Sequence, residues 1–260
     1  KARQATSRKK ALEKLNIEDM QPSSRKYPGI FFKQVREAGN QILSVQNLSF
    51  EYGEGNFIKD ITFTVNRGDK IAVLSNDHLA VAKFFEILAG KEEDYKGTIE
   101  WGVTITKSYV PNDNSSYFES DDNLIDWLRQ YSENKDETFI RGFLGRMLFS
   151  GEETLKSCKV LSGGEKVRCM LSKTMLEEAN FLILDEPTNH LDLESITALN
   201  NGLVDYKGTV IFTSHDHTFT QTIANRIIEI TPNGYLDKLM TYDEYLSDEK
   251  VAVQKEELYA

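Results

Sequence analysis

Cysteine is scarce in this chain, with two in 260 residues, Cys158 and Cys169. They stand in unrelated contexts without metal-ligand spacing, so a disulfide framework and a thiolate metal site are excluded and reduced thiols in a cytoplasmic protein are expected. Long apolar runs are missing as well. No stretch reaches the roughly 20 residues of a membrane-spanning helix and no signal-peptide pattern opens the sequence, so no membrane partner is expected. Positive charge is in deficit: 31 Lys and Arg face 41 Asp and Glu, a formal net charge of −10. That balance argues against general coating of nucleic acid. What is present, 40% hydrophobic and 28% charged residues, is ordinary for a soluble globular chain with a large core.

The charge is unevenly spread. Residues 1–14 hold Lys1, Arg3, Arg8, Lys9, Lys10 and Lys14 against Glu13 alone. The plainest reading is a solvated basic helix; the sharper one is an RNA-facing arm. Residues 1–17 contain few helix breakers but too little apolar surface to pack alone, and they look like the end of something longer. Residues 18–40, with Pro22, Pro28 and Gly29, read as a linker running into a domain.

From Ile42 the pattern turns to short β segments at 42–50, 57–65 and 70–74, with Ile61, Phe63 and Val65 alternating. A helix is predicted over 81–90, with Phe84, Ile87 and Leu88 on one face and Gly90 closing it. Leu124, Trp127, Leu128 and Tyr131 mark an amphipathic helix over 121–131. Phe143, Met147 and Leu148 mark another over 138–149. After this small helical insert come helix 163–178, strand 181–185, helix 193–204, strand 208–213, helix 217–225, a β segment at 226–230 and a hairpin through Pro232-Asn233-Gly234. Alternating strands and helices imply a mostly parallel sheet covered on both faces. There is no internal repeat.

Two segments carry chemistry. Ser162-Gly163-Gly164-Glu165 is a capping-box pattern that opens many helices with no further role. The same geometry suits phosphate: two glycines allow close approach, and the free amides of a helix N-terminus attract anions. About twenty residues later, the apolar strand Phe181-Leu182-Ile183-Leu184 ends in Asp185 and Glu186. A strand can simply end in solvent, but open α/β sheets bind ligands at the carboxyl ends of their strands. There Asp185 could hold Mg²⁺, usually through water, and Glu186 could polarise an attacking water. His215, just after Val210-Ile211-Phe212, could bond a terminal phosphate, although a lone histidine there is more often a plain surface residue.

With those motifs in place, residues 42–246 resemble an ATP-binding-cassette (ABC) nucleotide-binding domain. Leu161–Glu165 matches the family's signature letter for letter, 181–186 its Walker B, Asn189, His190, Leu191 and Asp192 its D-loop, and His215 its switch histidine. Tyr52 stands where the family stacks an aromatic on adenine, or is an ordinary hairpin tyrosine. The wording Glu186-Pro187-Thr188-Asn189-His190-Leu191-Asp192 is typical of ABC-F proteins, the soluble, tandem, ribosome-associated branch, and is closest to the YbiT-like subgroup. The resemblance implies an α/β, P-loop NTPase-like fold with a mostly parallel sheet core, an antiparallel β lobe and a small helical subdomain at about 114–160. Residues 1–40 would then be the end of an interdomain linker, 41–246 the cassette and 247–260 a helical tail.

The chain departs from the family at the phosphate loop, which should follow Ile71-Ala72-Val73-Leu74. The frame is undisturbed as far as Gly90, yet Ser75, His78 and Ala80 stand at the glycine positions, Val81 at the lysine and Ala82 at the Mg²⁺-binding serine. Asn76, Asp77 and Leu79 fill the remainder. Lys83 is the nearest ammonium, but two helical positions turn it roughly 200° from the required face. Asn112 replaces the usual Q-loop glutamine. Hydrogen bonds to charged groups contribute about 1.5–3 kcal/mol each, and a non-glycine at positive φ costs roughly 1–2 kcal/mol. Losing the lysine and the glycine cradle should therefore weaken nucleotide binding at this loop by ~100-fold or more.

The resemblance implies the second cassette of a cytoplasmic ABC-F translation factor. Its signature would cap ATP and Mg²⁺ held by the N-terminal cassette of the same polypeptide, and its linker would meet the ribosome and tRNA. The full-length protein would hydrolyse ATP, while this fragment, expected to be a monomer, would do so negligibly. The competing expectation is a nucleotide-binding subunit of an ABC membrane transporter, against which stand the Asn-His-Leu-Asp wording and the basic segment ahead of the domain.

Overall fold

The structure, a computed structural model, describes residues 26–53 and 55–260. The basic segment 1–14 and the helix expected over 1–17 lie outside the described residues. Two sheets organise the rest. The first is a three-stranded antiparallel lobe in the order β2-β1-β4, from β1 (Leu43–Glu51), β2 (Phe57–Val65) and β4 (Lys96–Trp101). The second has six strands in the order β5-β6-β7-β3-β8-β9: β3 (Lys70–Leu74), β5 (Lys107–Val110), β6 (Phe181–Asp185), β7 (Thr209–Thr213), β8 (Arg226–Thr231) and β9 (Gly234–Lys238). Its first five strands are parallel and β9 closes the edge antiparallel to β8.

Alternation along the central strands divides the core in two. Ile71, Val73, Phe181, Ile183, Ile211 and Ile228 face the antiparallel lobe and helix α1 (His78–Ala89). Ala72, Leu182, Leu184, Val210, Phe212 and Ile227 face the opposite, helical layer. That layer contains α2 (Leu124–Arg129), α3 (Glu137–Arg146), α4 (Gly163–Glu177), α5 (Leu193–Asp205) and α6 (His217–Ile223). The mostly parallel sheet with both faces covered is thus the architecture the alternating pattern implies, and the antiparallel lobe and small helical subdomain are those the resemblance implies. Two further helices follow, α7 (Tyr242–Ser247) and α8 (Glu249–Tyr259).

Several boundaries differ from the sequence expectation, each for a local reason. Helix α1 starts at His78 rather than at residue 81, because Asp77 caps it by accepting the Leu79 amide at 2.9 Å. Its end is as expected: Gly90 takes φ 78° and returns its amide to the Glu86 and Ile87 carbonyls. Helix α2 starts only after Asn123, whose side chain accepts from the Asp126 amide. Helix α3 stops at Arg146 instead of 149, since Leu148 turns to φ 66° and the Phe149 amide folds back on the Leu144 carbonyl. Helix α6 ends at Ile223, two residues short of the expectation. Strands β4 and β5 were not foreseen at all.

The described part of the expected linker packs as a strap over the helical layer. The Gly29 amide donates to the Arg146 carbonyl at 2.7 Å and the Val35 amide to the Glu178 carbonyl at 2.9 Å. Ile30 and Phe32 are buried, the latter edge-on to Tyr206. Among the described residues no helix is long and apolar enough to cross a membrane.

Candidate functional site

The strand ends bring together Asp185, Glu186 and His215. Asp185 is the last residue of β6, paired in register with Thr213 at the end of β7. Its carboxyl is pushed up to about 6, first by burial and then by the charges of Glu186 and Glu86, while the Asn112 backbone N–H holds against the rise. Glu186 follows in the left-handed region at φ 48°, a conformation that costs a non-glycine residue about 1–2 kcal/mol. The turn is held by the Glu186 amide donating to the Thr213 carbonyl and the Asn189 amide donating to the Glu186 carbonyl, both at 3.1 Å.

That turn sets the Glu186 carboxylate beneath His215. Oε2 accepts the His215 backbone N–H at 3.1 Å. Oε1 faces the His215 Nε2 at 3.3 Å yet accepts no hydrogen bond, although it is buried. A buried carboxylate oxygen with an open acceptor is suited to taking a proton from water. The His215 ring is otherwise exposed and stands edge-on to the His78 ring, centroids 4.8 Å apart.

Helix α4 begins with the complete capping box. Ser162 Oγ accepts the Glu165 amide, and Glu165 Oε2 accepts from both the Ser162 amide at 2.9 Å and its hydroxyl at 2.8 Å. Glu165 Oε1 is paired with Lys156 Nζ at 2.9 Å. Burial opposes ionisation of Glu165, but the Lys156 and Ser162 bonds outweigh it and bring its pKa down to about 2. The two glycines are tied to the D-loop: a Cβ on Gly163 would meet the His190 ring at 3.0 Å, and one on Gly164 the His190 carbonyl oxygen at 2.6 Å. His190 itself has φ 62°. Asn189 Nδ2 donates to Asn112 Oδ1 at 3.1 Å, Leu191 is partly buried against the helical core, and Asp192 caps α5 by accepting the Ser195 amide at 2.8 Å. The D-loop residues therefore have structural work of their own. Beside them a cavity of about 330 Å³ opens between Asn112, Asp113, Gly163, Lys166 and His190.

The segment from Ser75 to Ala82 enters helix α1 at His78. Among the described residues none between Gly68 and Gly90 has positive φ. The chain thus avoids the backbone strain expected for non-glycine residues here by entering the helix early. Ser75 Oγ accepts the Asp77 amide at 3.1 Å, and Asp77 Oδ2 accepts the Tyr52 hydroxyl at 3.0 Å. Burial, with the Asp77 bond second, pushes the Tyr52 phenol up to about 12. Tyr52 accordingly lines a cavity of about 270 Å³ together with Asn76, Asp77 and Ala80. Val81 and Ala80 are buried in the core, Leu79 is half exposed, and Lys83 is held by Glu86 at 2.7 Å.

Mg²⁺ and ATP can be tested against these residues. Asp185, buried and raised, together with the open Glu186 Oε1, fits a cation or an activated water at the strand ends. The loop does not fit the phosphates: the Asp77 carboxylate occupies the amide of the α1 N-terminus, Val81 is in the core and Ala82 has no hydroxyl. Among the described residues no cluster of three or more His, Cys, Asp or Glu is arranged to hold a metal by itself. Sequence reasoning missed the Asp77–Tyr52 bond and the convergence of Tyr259 and Lys255 on the same region. Asp77, a capping residue just ahead of an apolar helical pattern, was the one available signal.

The family profile described as ABC transporter matches residues 58–189, half of the chain. The Bacillus subtilis ABC transporter ATP-binding protein YkpA is 59% identical over all of this chain and 48% of its own length. The Escherichia coli protein named "Probable ATP-binding protein YbiT" is 39% identical over 95% of this chain and 47% of its own. The energy-dependent translational throttle protein EttA of Haemophilus influenzae is 31% identical over 81% of this chain and 38% of its own. The chain thus spans about half the length, or less, of these relatives. A solved inward-facing metal-chelate type ABC transporter shares the fold, with a TM-score of 0.63 at 22% identity over 84% of this chain and 90% of that one.

Proposed function

This chain belongs to the ABC transporter family as an ATP-binding domain, and from that premise we propose that it is the second cassette of a tandem ABC-F protein acting on the translating ribosome. In this reading it supplies a lid for a nucleotide bound elsewhere. Ser162, Gly163, Gly164 and Glu165 would close over ATP and Mg²⁺ held by a preceding cassette. The carrying observation is the contrast between the intact N-terminus of α4 and the α1 N-terminus, where Asp77 stands on the Leu79 amide. An anion arriving at Gly163 meets the helix's positive end and Lys166. An anion arriving at His78 meets a carboxylate.

The half-length match to its relatives supports a two-cassette protein, and the printed name of EttA supports a role in translation. Glu186 and His215 keep the geometry for polarising a water and touching a terminal phosphate, yet the loop beside them offers that phosphate no seat. Turnover in the whole protein would therefore depend on the other site, with this chain contributing the signature. The acidic body leaves RNA contact to the basic residues 1–14.

Calorimetry on the 260-residue chain tests this directly. Binding of Mg-ATP at least ~100-fold weaker than in an intact cassette is expected, with no hydrolysis above background. In the two-cassette protein, Ser162→Arg should abolish ATP turnover and ATP-dependent cosedimentation with ribosomes. Micromolar Mg-ATP binding by this chain alone would overturn the reading.

A further inference from the structure

Three arginines stand in the helical insert, and carboxylates hold two of them: Asp126 pairs with Arg129, and Glu137 with Arg141 at 2.8 Å. Arg146, the last residue of α3, is held differently. Its guanidinium lies over two rings at once, 4.5 Å from the Phe31 centroid and 4.8 Å from that of Phe143. Among the described residues it has no carboxylate partner and its side chain donates no hydrogen bond. Contact with two aromatic faces restrains the plane of the guanidinium and leaves its five N–H donors unspent. A restrained fork of that kind suits the oxygens of a phosphate.

The strap supplies half of this arrangement. Ile30 and Phe32 are buried under it, so Phe31 between them is turned outward, and the Gly29 amide on the Arg146 carbonyl at 2.7 Å joins strap to helix. Lys33, also exposed, places its Nζ 5.8 Å from the same Phe31 ring. Tyr27, two residues before Gly29, is 54% exposed. Phe139, one turn from Phe143 with ring centroids 5.2 Å apart, is 38% exposed. Neither Lys26 nor Lys33 has a carboxylate partner among the described residues. On a chain of net charge −10, uncompensated cations interleaved with exposed rings are a local exception. Packing alone would account for the stacked arginine, but not for the unpaired lysines and further rings beside it. Phosphates answer the cations and unpaired bases answer the rings, whereas a duplex hides its base faces and an acidic peptide has none.

We propose that the strap and the end of α3 form a contact for single-stranded RNA. Arg146, set by Phe31 and Phe143, grips a phosphate; Lys33 adds charge; Tyr27 and Phe139 offer faces on which bases stack. The choice of RNA rests on the proposed role in translation, and the contact adds a second surface to residues 1–14.

Fluorescence anisotropy on the 260-residue chain, without nucleotide, tests it with a labelled single strand of about 12 nucleotides. Arg146→Met keeps a stem against the rings and removes the fork, so binding should weaken at least ~10-fold and the salt slope should fall by about one. Arg146→Lys keeps the charge without the fork and should lose roughly threefold. Tyr27→Ala should lose about threefold with the salt slope unchanged, and Arg141→Met, whose charge is already paired, less than about twofold. R146M binding as wild type does, or no worse than R141M, would overturn the contact. So would tighter binding of the deoxy strand, or a wild type that binds polyglutamate or phosphatidylserine vesicles and not RNA. Should R146M fail to fold, Lys33→Gln at an exposed position carries the same test with a loss of roughly threefold. Loss confined to Lys9→Ala/Lys10→Ala would sink this surface and leave the RNA reading standing, and no arm depends on Mg-ATP, so the contact and the proposed function can fail separately.

Discussion

Helices α1 and α4 both begin on a side-chain cap, Asp77 in the first and Ser162 in the second. At α4 the negative charge is displaced from the helix axis: Glu165 sits one turn in, bonded to Ser162 and neutralised by Lys156 at 2.9 Å. Gly163 is left at the wall of the cavity beside Lys166. At α1 the charge is the cap itself, held by the Leu79 amide and the Tyr52 hydroxyl without a cation among those contacts. A helix N-terminus thus attracts an external anion only if its own cap is neutral or its charge is answered elsewhere. Glycine plays a second, separate part. At α4 it is demanded by the close approach of His190, while the α1 segment has no glycine between Gly68 and Gly90 and forms plain helix instead.

The most severe way to break the contrast is to restore the missing lysine alone. Val81 is 3% exposed, among Phe84, Phe85 and the β strands, so Val81→Lys puts an ammonium into the core. Three pKa units of desolvation correspond to about 4 kcal/mol. Urea denaturation should show a loss of that order, with no gain in Mg-ATP binding. A variant that stays within about 1 kcal/mol of wild type and binds Mg-ATP would mean that the loop is one substitution from competence. Gly164→Ala attacks the other side. Its Cβ would lie 2.6 Å from the His190 carbonyl oxygen, a backbone atom with little room to retreat, and about 3 kcal/mol of destabilisation is expected. Gly145→Ala, in α3 with nothing within 4 Å, should instead stabilise by about 0.5–1 kcal/mol. Equal effects in the two variants would show that the signature glycines owe nothing to the D-loop.

Much of this was legible in the residues. The apolar runs at β3, β6 and β7 and the helical spacing around Trp127 needed only pattern, and Asp185, Glu186 and His215 were placed by their position after apolar strands. Strands β4 and β5 escaped because Lys96–Trp101 is a largely exposed edge strand and Lys107–Val110 has only four residues. The early start of α1 was hidden by the family frame, which assigns residues through Ala82 to a loop. Without glycines the backbone follows its own signal, a capping aspartate ahead of Leu79, Ala80 and Val81. Tertiary pairings were out of reach: Glu229 with Tyr259, or Asn112 with Asn189, join segments that no local period connects.

The last expected effect concerns the Asp185 carboxylate at the strand end, which accepts the Asn112 backbone N–H. The Asp185 carboxyl titrates at about 6 in the folded chain instead of 3.8, so the folded state binds this proton more tightly than the unfolded state does. The sign follows from linkage: stability from this group is full below about pH 4, falls as the pH rises toward 6, and stays at its lower level above that. Two units at 1.36 kcal/mol each set an upper bound near 3 kcal/mol, and about 2 kcal/mol is expected once solvent relaxation is allowed for. Asp185→Asn can still accept the Asn112 N–H and carries no charge, so it should be more stable than wild type by that amount at pH 7.5 and by much less at pH 4.5. Paired thermal unfolding at the two values measures the difference. A variant that gains equally at both, or loses at pH 7.5, would show that the ionised carboxylate is held by something within the fold, and the strand end would then need no cation from outside.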